Sequence, residues 1–112
     1  MAKPLFKNYN FQFDKNEKKI LINFCKSIIK QMATDEKFSV EIKTYNTIID
    51  KLNDPADEIK FTKDEKTKLV LHLKENIKHM ETMLKKSGFL KRWLYKSALT
   101  QYKGLMENKF NN

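Results

Sequence analysis

The side chains equipped for chemistry fall into three groups. His72, Glu75 and His79 stand at i, i+3 and i+7, which places two imidazoles and a carboxylate along one side of a helix. Such a set could hold a divalent metal if another helix supplied a further ligand. At about 100° per residue, however, both histidines border the apolar stripe that runs from Leu69 to Leu84. Boundary histidines of that kind ordinarily pack or hydrogen-bond, so no metal is expected. Cys25, the single cysteine, lies among apolar residues. A nucleophilic thiol needs an electropositive, partly exposed setting and a nearby base, and Cys25 reads instead as core.

The third group is basic. No acid occurs between Glu81 and Glu107, and Lys85, Lys86, Lys91, Arg92, Lys96 and Lys103 lie in that interval. The only Arg and the only Trp of the chain stand side by side as Arg92-Trp93. On a helix Arg92, Lys96 and Lys103 share a face, with Trp93 and Thr100 on its border. An indole beside a row of cations suits an anion-rich partner: the ring stacks or fills a pocket while the cations neutralise carboxylate or phosphate. With Lys86 just upstream, these five residues form the candidate docking face. The competing reading packs Trp93 beneath the turn before this helix and leaves the lysines to solvate it. Ser97 and Gly104, near the Trp93 side, would also let a second copy approach closely.

Catalytic motifs are missing. There is no glycine-rich phosphate loop, nucleophile elbow, CxxC or HExxH. The carboxylates pair with Lys at helical spacings, as on a solvated surface. The expectation is a protein that is not an enzyme and uses no cofactor.

These residues need elements to position them, and an internal repeat shows what those are. Phe13-Asp14-Lys15-Asn16-Glu17-Lys18 recurs forty-eight residues on as Phe61-Thr62-Lys63-Asp64-Glu65-Lys66. Nine of the twenty residues from Phe13 to Met32 equal their partners. Four of the nine are Lys in a Lys-rich chain, but Phe, Glu, Leu, Ile and Met remain, which points to one supersecondary unit used twice. The partner of Cys25 is Leu73 and those of His72 and His79 are Phe24 and Gln31, so neither candidate chemistry is shared by both copies.

Asp14 with Glu17, and Thr62 with Glu65, are capping boxes that open helices. Helix one is expected from about Asp14 to the mid-thirties, burying Leu21, Phe24, Cys25, Ile28 and Met32. Helix two carries Phe38, Ile42, Tyr45, Ile49 and Leu52 and ends near Asn53-Asp54-Pro55. Residues 53–58 then link the copies. Helix three runs from Thr62 to about Lys86 on a stripe of Leu69, Leu73, Ile77, Met80 and Leu84. Gly88 is expected to close it in the left-handed conformation. Helix four spans about Phe89 to Asn108, with Leu90, Leu94, Ala98, Tyr102 and Leu105 inward. Tyr9, Phe11 and Phe13 alternate with polar residues, but a lone strand has no evident partner, so an extended N-terminal arm is expected.

The predicted fold is therefore all-α: one four-helix domain over residues 1–112, built from two related antiparallel hairpins (about 13–54 and 61–109). Only two Gly and two Pro interrupt the chain. No apolar run approaches the roughly 18 residues of a membrane span. The segment Met-Ala-Lys-Pro-Leu-Phe-Lys-Asn lacks the apolar stretch of a signal peptide, and a single Cys fits a reducing compartment, so a cytoplasmic protein is expected. The net charge of +9 points toward anionic partners or simply solvates the helices.

The copies part in their second helices. Asp35, Glu36, Glu41 and Asp50 become Met83, Leu84, Phe89 and Ala98, while Thr44 and Ile48 become Arg92 and Lys96; Tyr45 pairs with Trp93. A one-residue slip near helix four would restore part of the apolar register. The functional expectation is a non-catalytic adaptor or inhibitor docking a protein with an acidic surface through helix four. Sequence-tolerant nucleic-acid binding by the same face is the alternative. Binding to an anionic membrane is disfavoured because the apolar face of helix four is needed for the core.

Overall fold

Two reciprocal caps set the helix starts. Asp14 Oδ1 accepts from the Glu17 amide at 2.7 Å, and the Asp14 amide donates to Glu17 Oε1 at 3.0 Å. The same exchange joins Thr62 and Glu65, at 3.1 and 2.8 Å. Each box satisfies two of the amides that a helix N-terminus leaves without an intrahelical acceptor. In the computed structural model, which describes residues 9–110, the elements are β1 (Tyr9–Gln12), α1 (Lys15–Met32), α2 (Ser39–Leu52), β2 (Glu58–Phe61), α3 (Lys63–Lys86) and α4 (Phe89–Lys109). Four helices dominate, as expected, and a small sheet joins them. The chain divides into two compact units, with the boundary between Lys66 and Thr67, inside α3.

In the first unit α1 packs against α2. Leu21, Phe24, Cys25, Ile28 and Met32 are the buried residues of α1, the stripe that the periodicity indicates. Tyr45, Ile48 and Leu52 are buried on α2; Ile48 takes an inward place that the sequence periodicity does not assign to it. Between the helices Asp35 accepts from the Lys37 amide and opens a single 3-10 turn, residues 36–38.

The expected extended arm is corrected: it is a strand with a partner. β1 pairs antiparallel with β2 in the register Tyr9↔Phe61, Asn10↔Lys60, Phe11↔Ile59 and Gln12↔Glu58. The Phe13 amide continues the ladder to the Asp57 carbonyl at 3.3 Å. Phe11, Phe13, Ile59 and Phe61 are buried while the residues between them are exposed, the alternation of a half-buried strand. The Phe13 ring stacks on Phe11 at 5.7 Å, and Phe61 tilts against both. Four residues pair here because the aromatic face is buried, which a free hairpin lacks. The expected linker thus ends where β2 begins. It is held by Lys18, whose ammonium donates to the carbonyls of Asp54 and Ala56 at 2.8 and 2.6 Å. The buried Glu65 also takes the Lys51 ammonium, so the second box is an ion pair as well as a cap.

In the second unit Leu69 and Leu73 are fully buried on α3, and Leu99, Leu105 and Phe110 are buried on and just after α4. Lys103 on α4 reaches Glu81 on α3 at 3.2 Å. Two expectations fail here. Gly88 has φ −69° and ψ 169°, an extended residue at the start of α4 and no left-handed closure; the helix end is satisfied instead by Ser87, whose amide and hydroxyl both donate to the Met83 carbonyl. Leu94, expected inward, is 53% exposed. Ala98, Tyr102 and Leu105 are half-buried to buried as expected, and Tyr95, Leu99 and Met106 join them on the inward side. The arm before Tyr9 and the side chain of Leu90 lie outside the described residues.

Candidate docking site on the fourth helix

The helices that precede α2 and α4 differ in length. α1 has 18 residues and α3 has 24. Asp35 and Glu36, where the chain leaves α1, correspond at the forty-eight-residue offset to Met83 and Leu84. Asp35 caps a new turn, whereas Met83 in its place is a good helix former that offers no cap, and α3 continues. Only Ser87 and Gly88 then separate α3 from α4. Tyr45, Ile48 and Leu52 point inward on α2, but their counterparts Trp93, Lys96 and Thr100 are exposed on α4. An offset of fifty places Tyr45, Ile48 and Leu52 against Tyr95, Ala98 and Tyr102, which are half-buried on α4.

Trp93 faces outward, with 65% of its surface exposed. Leu84, Arg92, Trp93 and Lys96 line a cavity of about 480 Å³. Arg92 and Lys96 are exposed and, among the described residues, neither side chain enters an ion pair within the protein. They stand one turn apart, about 6 Å along the axis. The site therefore offers an indole face and a leucine side chain beside two uncommitted cations.

Not all of the expected face takes part. Lys103 is committed to Glu81, and neither it nor Lys86 lines the cavity, although both are exposed. The anticipated row of three cations is reduced to two. Leu84, expected in the inward stripe of helix three, stands at the site instead. The signal for it is the replacement of Asp35-Glu36 by Met83-Leu84, which lengthens the helix besides removing charge. Gly104 would accept a Cβ without meeting another atom, so no close packing within the protein demands glycine there.

The other candidates carry less. Among the described residues no three His, Cys, Asp or Glu side chains gather as a metal-holding group, so His72, Glu75 and His79 are not brought together as one. Cys25 is fully buried, and loss of hydration pushes its thiol up to about 12. A second cleft of about 480 Å³ is lined by Lys15, Lys19 and Lys26 together with Asp54 and Asp57, so it presents both signs of charge. No protein-family model, curated protein or solved structure matches this chain.

Proposed function

We propose that this protein is a non-catalytic interaction protein, an adaptor or inhibitor, that docks a partner with an acidic surface through the Arg92–Trp93–Lys96 face of α4. The observation that carries the reading is the exposed Trp93 at a cavity flanked by two uncommitted cations. Large aromatic side chains with neighbouring arginine are the residues on which protein interfaces concentrate their binding energy. A protein partner is favoured over nucleic acid because the cation row is short. A phosphate backbone rewards a long basic track, and Lys103 is already neutralised by Glu81.

In this reading the chain is a duplicated unit acting in the cytoplasm. Each copy is a strand followed by two helices that form an antiparallel hairpin, and the second copy has given its last helix to a partner. Support comes from the nine identities, the two capping boxes, and a ladder in which Phe11 faces Ile59, the residue forty-eight positions on. No helix among the described residues is long and apolar enough to cross a membrane.

Affinity purification from the native host, with and without nuclease, tests the reading. The expected result is a nuclease-resistant protein partner retained by the unaltered chain and lost with Trp93→Ala and with Arg92→Glu/Lys96→Glu. Retention by both variants, or capture that nuclease abolishes, would sink it.

A further inference from the structure

We infer that the cavity beside Trp93 receives a short acidic segment, one bulky apolar side chain of which enters between Leu84 and the indole while neighbouring carboxylates meet Arg92 and Lys96. This deepens the docking reading and rests on it. The cavity has an apolar part and a charged part, and each asks for something different from a ligand. Leu84 and Trp93 offer hydrocarbon and a ring face, which reward an apolar side chain through burial and stacking. About 480 Å³ is room for a bulky side chain and the backbone that carries it, in the lower half of the usual range for ligand pockets.

Arg92 and Lys96 carry the remaining specificity. Guanidinium and ammonium groups one helical turn apart match two carboxylates about 6–7 Å apart, the spacing of alternate residues in an extended peptide or of one helical turn. Arg92 can take its carboxylate with two parallel hydrogen bonds, which a single ammonium cannot do. Exposed Lys85, Lys86 and Lys91 lie close by in sequence, and no acid occurs between Glu81 and Glu107. An acidic segment is thus attracted from a distance by a field of one sign. Neither part suffices alone: an apolar peptide without acids leaves the two cations uncompensated, and an acidic peptide without an anchor leaves the cavity empty.

Trp93 is the only tryptophan, so its emission reports on this site alone. The full-length protein is titrated with a synthetic peptide, acetyl-Asp-Glu-Asp-Phe-Asp-Glu-Asp-amide. Two variants serve as controls, one with the central Phe replaced by Ala and one with every acid replaced by its amide. An oligothymidylate is the third comparison. A saturable change in emission is expected with the parent peptide, weakened about tenfold or more by either replacement and again by Arg92→Gln/Lys96→Gln. Leu84→Ala, with its helicity checked by circular dichroism, should weaken the parent peptide and leave the Ala peptide unchanged.

No saturable change with the parent peptide overturns the inference. Equal binding of the Phe and Ala peptides does so too, as does tighter binding of the oligothymidylate at the same salt. If the peptides fail while affinity purification still yields a Trp93-dependent protein, the docking reading stands and only this class of ligand falls. If neither gives a site-dependent partner, both fall.

Discussion

The helices α2 and α4 put positions forty-eight residues apart to opposite uses. On α2, Tyr45 and Ile48 are wholly buried, and the helix serves the core. Forty-eight residues on, Trp93 and Lys96 are exposed at a cavity. The helices before them also differ in length. α1 stops at Met32, before the capped turn that begins at Asp35, while α3 continues to Lys86. α3 has six more residues than α1 (24 against 18), and only two residues join it to α4. Both the residues on the helix surface and those at the preceding helix end differ: Thr44, Tyr45 and Ile48 stand against Arg92, Trp93 and Lys96, and Asp35-Glu36 against Met83-Leu84.

Exchanging residues between the two helices is the sharpest way to break this comparison. Ile48→Lys places the residue found on α4 at a fully buried position of α2. It should cost roughly 4 kcal/mol or more, because an unpaired charge is taken out of water. The reverse change, Lys96→Ile, should stay within about 0.5 kcal/mol in the same chemical denaturation. Similar costs for the two would show that the phases are not opposed. Tyr45→Ala against Trp93→Ala asks the same with less violence. The first is expected to cost about 3–5 kcal/mol as a core truncation. The second should leave the unfolding midpoint nearly unmoved and act on binding alone.

The two capping boxes form a second contrast. Glu65 is buried and also holds Lys51, whereas Glu17 caps its helix from a less buried position. Glu65→Ala should therefore cost about 2–3 kcal/mol and Glu17→Ala about 1 kcal/mol or less. An equal loss in both would remove the distinction.

Cys25 against its counterpart Leu73 is testable by pH. Both are fully buried, but only the thiol titrates. Its folded value is raised from 9.0 to about 12 by burial. The unfolded chain then loses the proton first, so stability falls as pH rises through the window from about 9 toward 12. Below that window this group contributes no dependence. The slope should be up to about 1.4 kcal/mol per pH unit, read as the difference between the wild-type and Cys25→Leu profiles. A flat difference would show that the thiol is not its source. A small effect is expected at the Lys103–Glu81 pair. Lys103→Ala should change stability by about 0–1 kcal/mol, and less at high salt, because both partners are about half exposed.

Much of the first unit is legible in the sequence. The capping boxes, the start of α1 and its five buried residues follow from side-chain spacing within one turn or one face. β2 is not, because four residues, Glu58 to Phe61, carry too short an alternation to stand alone. Yet the offset that relates Phe13 to Phe61 also relates Phe11 to Ile59, so a strand before one helix implies a strand before the other. At the site, Arg92, Trp93 and Lys96 are recognisable from residue type. Leu84 is not, because its role depends on where α3 ends. Lys103 looks uncommitted in the sequence, because Glu81 lies twenty-two residues away and only folding brings the two together.

The sequence by itself determined the four helices, the two capping boxes and the buried face of α1, since these rest on hydrogen bonds and periodicities spanning a few residues. Tertiary structure alone decided the strand pairing, the exposure of Leu94 and of Trp93, and the loss of Lys103 to an ion pair. Each of those depends on the phase or partner of an element distant in sequence, and a shift of two residues in a 3.6-residue repeat is enough to turn a core position into a surface one.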